Sequence, residues 1–217
     1  MSDPRSTRRE HRRAGLTLVE LSIVLAVVGI IAAMAIPGTA KWTANQRLNE
    51  STRALAGVFS YARGEAIRTG NIHIVFFETD ASGNSLSSPI LVLDDGRFGS
   101  SDQNCVIDTG EPQKAFALVE GVSFGVSRAT SQAPSDPGGG SFGGTATFRD
   151  AGGSDATWML FRPEGMPLAF SSNCSMGAVG TGGGGVYLTN GSRDAAVLVT
   201  PLGATRVHQW NGGGWTS

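Results

Sequence analysis

The sequence predicts an α+β protein in which one long N-terminal helix, transmembrane at first and amphipathic later, packs on an antiparallel β-sheet domain. Three observations carry that expectation. Residues 16–36 are almost uncharged and apolar; residues 39–69 repeat apolar side chains at threes and fours; after Asn71 the chain breaks into short β-branched and aromatic runs between turn-formers. With 31 glycines among 217 residues and few charges, the composition suits a loop-rich β domain better than a helical bundle.

The helix comes first. Leu21 to Ile36 reads LSIVLAVVGIIAAMAI, and the 21 residues from Leu16 to Ile36 hold a single ionisable group, Glu20. About 20 helical residues cross a hydrocarbon core, so this stretch is long enough to span a bilayer. Arg5, Arg8, Arg9, Arg12 and Arg13 precede it and would keep a short N-terminus in the cytoplasm. A secretory signal peptide would instead be cut after the apolar core, where Ala32–Ala35 offers small residues. Against that stand Glu20 and a helical pattern that continues past Pro37. A plain membrane anchor leaves Glu20 unexplained, because a carboxylate in the bilayer is costly and marks function; the bland reading is a glutamate snorkelling at the interface. Pro37 removes a backbone donor and is expected to kink the helix rather than end it.

Beyond Pro37 the apolar stripe is Leu48, Leu55, Val58, Phe59, Ala62, Ala66 and Ile67, while Arg47, Arg53, Arg63 and Arg68 read as a solvated face. Gly70-Asn71 is a helix stop. Strands are expected at Ile72–Phe77, Ile90–Leu93, Ala115–Val119, Val122–Val126, Thr145–Phe148, Thr157–Phe161, Val186–Thr189, Ala195–Thr200 and Thr205–Trp210. Between them, Ala133–Gly144 and Gly177–Gly185 read as long, mobile loops that supply no packed core.

Residues 1–15 carry a net charge of +3, but from Asn71 onward seven Lys/Arg face thirteen Asp/Glu. A broad nucleic-acid surface is not expected on a domain with that balance. Cys105 and Cys174 could form a metal or redox pair or a structural disulfide. Two thiols without histidines at ligand spacing make a poor metal site, and export to an oxidising compartment would favour the bridge. His11, His73 and His208 show no metal-ligand spacing, no phosphate loop is present, and neither a metal nor a cofactor is expected. Gly121-Val122-Ser123-Phe124-Gly125 fits the G-x-S-x-G pattern, whose chemistry needs a strand-to-helix turn; the polar, glycine-rich sequence that follows argues for a surface strand. No catalytic residue, and no enzyme, is expected.

Gly15-Leu16-Thr17-Leu18-Val19-Glu20, with the basic leader before it, resembles the class III signal of type IV prepilins and type II secretion pseudopilins. The resemblance implies a leader of residues 1–15 cut by a prepilin peptidase between Gly15 and Leu16. It also implies N-methylation of Leu16, where the family usually has phenylalanine, and an assembly helix over 16–37 loosened at Gly29 and Pro37. Glu20 would pair with the N-terminal amine of a neighbouring subunit and so set register. An amphipathic helix over 38–70 would then lead into a periplasmic β-rich domain over 71–217.

Tyr61–Arg68, Phe161–Gly165, Val186–Thr189, Val197–Thr200 and Leu202-Gly203 are similar to segments of the GspH/FimT branch of minor pilins and pseudopilins. That similarity implies a fiber-initiating or fiber-capping subunit. Its partners would be other pilin subunits, the prepilin peptidase and the inner-membrane assembly platform. It would be held in the bacterial inner membrane by a single pass, then extracted into a pilus or pseudopilus. An alternative within the branch is DNA capture through a basic tail. Here Gly203-Ala204-Thr205-Arg206 lacks one arginine of the Gly-Arg-x-Arg pattern, leaving Arg193, Arg206 and His208 as the candidate contacts. A membrane-anchored hydrolase built on Ser123 is a further alternative.

Overall fold

The structure, a computed structural model, describes residues 17–217, the side chains of residues 34–38 excepted. The leader, His11, Gly15 and Leu16 lie outside the described residues. Helix α1 runs from Leu18 to Thr69 and continues through Gly29 and Pro37. It ends as expected on Gly70, whose φ of 73° and N–H bond to the Ala66 carbonyl (3.0 Å) close the last turn.

The chain divides into two units, the first closed by Trp42 and the second running from Thr43 to Ser217. In the first, the large apolar side chains from Leu18 to Ile31 are all at least half exposed. Among the described residues no helix is long and apolar enough to cross a membrane. The span expected over 16–37 includes Leu16 and side chains that lie outside the described set.

In the second unit α1 is followed by β1 (Asn71–Thr79), β2 (Ser85–Arg97), β3 (Gln113–Phe116), β4 (Ser123–Phe124), β5 (Phe148–Arg149) and β6 (Asp155–Ala156). Then come β7 (Trp158–Phe161), β8 (Pro167–Leu168), β9 (Gly184–Thr189), β10 (Asp194–Val199), β11 (Thr205–Trp210) and β12 (Trp215–Thr216). They form one sheet of order β3-β2-β1-β7-β8, a second of order β12-β11-β10-β9-β4, and the small β5-β6 ladder. Every pairing is antiparallel. The expected helix and antiparallel β part are therefore present, with the β part divided into two five-stranded sheets.

The apolar stripe explains the assembly. Leu48, Leu55, Val58, Phe59, Ala62 and Ala66 are buried in one cluster with Val75, Phe77 and Met159 of the first sheet and Val186, Leu188 and Val197 of the second. Phe59 meets the rings of Phe77 (5.8 Å) and Phe148 (6.4 Å). Each sheet also buries its other face. Ile74, Phe76, Leu93 and Leu160 are covered by segments carrying Cys105, Phe170 and Met176; Tyr187, Ala196 and Leu198 are covered by Ala133, Phe142 and Trp215. With both faces covered, β1, β9 and β10 read as nearly continuous apolar runs rather than alternating ones.

Four expectations need correction. Ala133–Gly144 is not a coreless loop. Tyr187 Oη donates to Asp136 Oδ2 (2.6 Å) and accepts the Ala133 N–H (3.0 Å), while Thr147 Oγ1 donates to Asp136 Oδ2 (2.9 Å). In Gly177–Gly185 glycine serves close approach rather than mobility. A Cβ on Gly182 would lie 2.3 Å from the Leu168 nitrogen, and one on Gly184 2.4 Å from Phe148 Cδ1. Ile67 is exposed rather than core, because its side chain lies over the turn at Gly165. Arg63 is half-buried rather than solvated, for reasons given below. The short β6, β8 and β12 fall outside the expected strands, since two residues beside a turn leave no period to read.

Adding one methyl should separate the two kinds of glycine in chemical denaturation of the full chain. Gly184→Ala is expected to cost about 1–3 kcal/mol by overpacking against Phe148. Gly64→Ala, on an exposed helical site with nothing within 4 Å, should be neutral or stabilise by about 0.5–1 kcal/mol.

Candidate functional site

The first candidate site is the start of α1. Thr17 caps the helix: its Oγ1 accepts the Glu20 N–H (3.2 Å) and its carbonyl accepts the Leu21 N–H (3.1 Å). Glu20 lies in the first turn, where a carboxylate favours the positive helix end, and its Oε2 is 3.5 Å from Thr17 Oγ1. Thr-x-x-Glu at 17–20 has the spacing of a capping box, and the half in which the threonine hydroxyl accepts the Glu20 N–H is formed, a local role for this segment beside that of Glu20 as a membrane charge. Among the described residues the Glu20 carboxylate forms no ion pair. The scissile bond and methylation site at Gly15/Leu16 lie outside the described residues. Gly29 is exposed, with nothing near its Cα that a methyl would touch.

The second candidate is a junction at the other end of α1. Two hairpin turns share the pattern X-Pro-X-Gly, Arg162-Pro163-Glu164-Gly165 between β7 and β8 and Thr200-Pro201-Leu202-Gly203 between β10 and β11. In each the glycine N–H bonds the carbonyl three residues back (both 2.8 Å) at a positive φ, 75° for Gly165 and 79° for Gly203. The turns belong to different sheets, yet a Cβ on Gly203 would lie 2.7 Å from the Gly165 carbonyl oxygen. Over this contact lies Arg63, whose Nη1 donates to the Gly203 carbonyl (3.1 Å) and whose buried Nε has no hydrogen-bond partner among the described residues. Arg63, Gly165 and Gly203 come from three separate segments noted in the sequence, and the fold brings them to one point.

Cys105 and Cys174 form a disulfide with a Cα–Cα distance of 5.3 Å, closing a separation of 69 residues. Asp95 sits fully buried beside it and accepts the Cys105 N–H at both oxygens (3.0 and 3.1 Å). Burial raises the Asp95 carboxyl to about 6; the Asn104 and Cys105 amides oppose the shift, and Glu111 and Asp108 add to it. Asp95 and the two sulfurs lie together, but the sulfurs are bonded to each other, so no thiolate is left for a metal.

The remaining candidates are scattered. Arg206 is exposed on β11 opposite Leu198, whereas Arg193 precedes β10 at the opposite end of the same ladder. His208 is buried on the face of β11 between them; burial and then Arg206 lower its pKa, with Asp136 opposing. Arg193 and Arg206 therefore lie at opposite ends of the ladder, and His208, on the same face of β11 as Arg206, is buried. His73 is buried 3.8 Å from Asp94, and burial lowers its pKa against the pull of that carboxylate. Ser123 is exposed in β4 opposite Thr189, and the next element after β4 is a strand, so the nucleophile turn is not formed.

Comparison with known proteins bears on the first candidate. Residues 11–36 match the family described as the prokaryotic N-terminal methylation motif. The chain is 39% identical over 56 residues to the type IV major pilin protein PilA of Myxococcus xanthus (strain DK1622). That alignment covers 26% of each chain, so the match spans about a quarter of the length of the relative. No solved structure matches. The motif and the pilin relative are a likeness to type IV pilins over part of the chain, and the fold, a long N-terminal helix packed on antiparallel sheets, is of the kind the sequence predicts.

Two measurements test the junction and the disulfide region. Arg63→Ala should cost about 1–3 kcal/mol in chemical denaturation, by stranding the Gly203 carbonyl and removing the guanidinium that lies beside both turns. For Asp95, the folded state holds its proton to higher pH than the unfolded chain does. Its contribution to stability should therefore fall by roughly 1–3 kcal/mol as pH rises from about 4 to about 6. Melting profiles of wild type and Asp95→Asn should diverge across that window; parallel profiles would refute the assignment.

Proposed function

We propose that this chain is a non-enzymatic minor subunit of the GspH/FimT type, serving a type II secretion pseudopilus or a closely related type IV pilus. One observation carries the reading. An apolar helix surface from Leu18 to Ile31, exposed throughout, is joined to a domain whose own apolar faces are covered. Such a surface needs lipid or other helices around it. The methylation motif at 11–36 supports lipid first and fellow subunits later. The precursor would be held in the inner membrane with its N-terminus cytoplasmic and its β domain periplasmic. A prepilin peptidase would cleave Gly15–Leu16 and methylate Leu16, and an assembly platform would lift the chain into the fiber.

In this scheme Glu20 acts twice: it sits in the first turn of its own helix, where negative charge is favoured, and it offers a carboxylate to the amine of a neighbouring subunit. A mispositioned neighbour would leave two charges unmatched in an apolar setting, which rewards one axial register. The meeting of Arg63, Gly165 and Gly203 supports the GspH/FimT subtype, because three of the similar segments form one structural unit. DNA capture is not favoured, since Arg193 and Arg206 lie at opposite ends of the ladder and His208 is buried.

The mature N-terminus is expected to be N-methyl-Leu16 by mass spectrometry; a chain beginning at Ala35 or Ile36 would make this a conventionally secreted protein. Glu20→Gln should still be processed and membrane-held but should drop out of sheared fibers by at least tenfold, because losing one partner of a buried charge pair costs roughly 3–5 kcal/mol.

A further inference from the structure

A cleft of about 430 Å³ opens between the β9–β10 turn, the β11–β12 turn and the segment after β4. Arg128, Ser192, Arg193, Trp210, Asn211 and Gly212 line it. Its backbone is held firmly. The Asp194 carboxylate accepts the N–H groups of Ser127 (3.0 Å), Arg128 (2.6 Å) and Ala129 (2.6 Å), which fixes the segment carrying Arg128 against the strand that begins beside Arg193. Asn190 Oδ1 accepts the Ser192 and Arg193 N–H groups (3.0 and 2.8 Å), and Asn211 Oδ1 those of Gly213 and Gly214 (3.1 and 3.0 Å). No ion pair among the described residues uses either arginine. Asp194 is the nearby acid, and both its oxygens are turned to the loop amides.

The position of this cleft points to its ligand. Asn190 Nδ2 donates to the Ala44 carbonyl (3.0 Å), and Gln209 Nε2 donates to Asn49 Oδ1 (2.9 Å). Both turns that frame the cleft thus lie at the end of the domain where α1 joins it. The residues just before that point in the chain, Lys41 and Trp42, are exposed and are types that settle at a headgroup layer. Two guanidinium forks without carboxylate partners suit a phosphodiester, and the volume suits a small headgroup. The acidic excess after Asn71 disfavours a long polyanion.

We propose that the Arg128/Arg193 cleft binds the phosphodiester of an anionic phospholipid headgroup and so seats this end of the domain on the bilayer surface. The inference rests on the membrane-held reading above. The test uses the full chain in a nonionic detergent, titrated with short-chain phosphatidylglycerol, short-chain phosphatidylcholine, glycerol phosphate and a single-stranded oligonucleotide, and followed by tryptophan emission and calorimetry. Phosphatidylglycerol should bind saturably and ahead of the other three. Arg128→Gln with Arg193→Gln should weaken it roughly thirtyfold, each cation being worth a factor of about five at an anionic surface. Arg206→Gln, at the far end of β11, should leave affinity unchanged.

Equal binding by the double variant would overturn the proposal. So would glycerol phosphate matching the lipid, which would indicate a simple ion site, or the oligonucleotide binding tighter through the same arginines. Alkaline extraction of cell membranes separates the two levels. A chain released by alkali refutes the membrane-held reading and this inference with it; a chain retained but indifferent to headgroup refutes the inference alone.

Discussion

Everything in the second unit depends on one surface, the apolar face of α1 from Leu48 to Ala66. Each sheet turns an apolar face toward the helix that must be covered, and the same helix stripe covers both. Packed on the helix, both sheets share its stripe, and Phe59 touches rings from β1 and β5 at once. Small residues at Ala62 and Ala66 then let the strands approach where the helix nears its end. The helix is therefore the common wall of the core rather than a cover laid over it.

That arrangement leaves the back of each sheet open, and the long connections close it. The disulfide holds the segments around Cys105 and Cys174 over the first sheet, and Asp136 holds the glycine-rich segment over the second through Tyr187 and Thr147. Asp136 and Tyr187 support one another: burial and the nearby carboxylate raise the tyrosine pKa, which keeps its hydroxyl a donor. Asp95 is the opposite case, a carboxylate whose burial is only partly offset by backbone amides.

Arg63 joins the two halves of the domain. Its Nη1 binds one turn, its Nε lies beside the glycines of both, and the two turns come from different sheets. Both turns need glycine for a positive φ and for contact at Cβ distance, so the two positions constrain each other as well as the arginine. The first unit shows a different logic. A polar cap at Thr17 is followed by apolar side chains that nothing among the described residues covers, a surface suited to lipid or to other helices.

Local pattern was enough to reveal much of this. The helix, its stop at Gly70, most of the central strands and the methylation signal follow from periodicity, turn chemistry and a short motif, because each is encoded within a few consecutive residues. The Thr17 cap was equally legible from the Thr-x-x-Glu spacing, and the repeated Pro-x-Gly at 163–165 and 201–203 marked two matching turns. Sequence alone could not decide which glycines are hinges and which are contacts, since Gly64 and Gly184 differ only in what lies opposite them. Nor could it show that Arg63 faces inward, that Ile67 faces outward, or that Arg193 and Arg206 lie at opposite ends of one ladder. Those facts depend on partners far away in the chain, and only the packing of the two sheets on the helix brings those partners together.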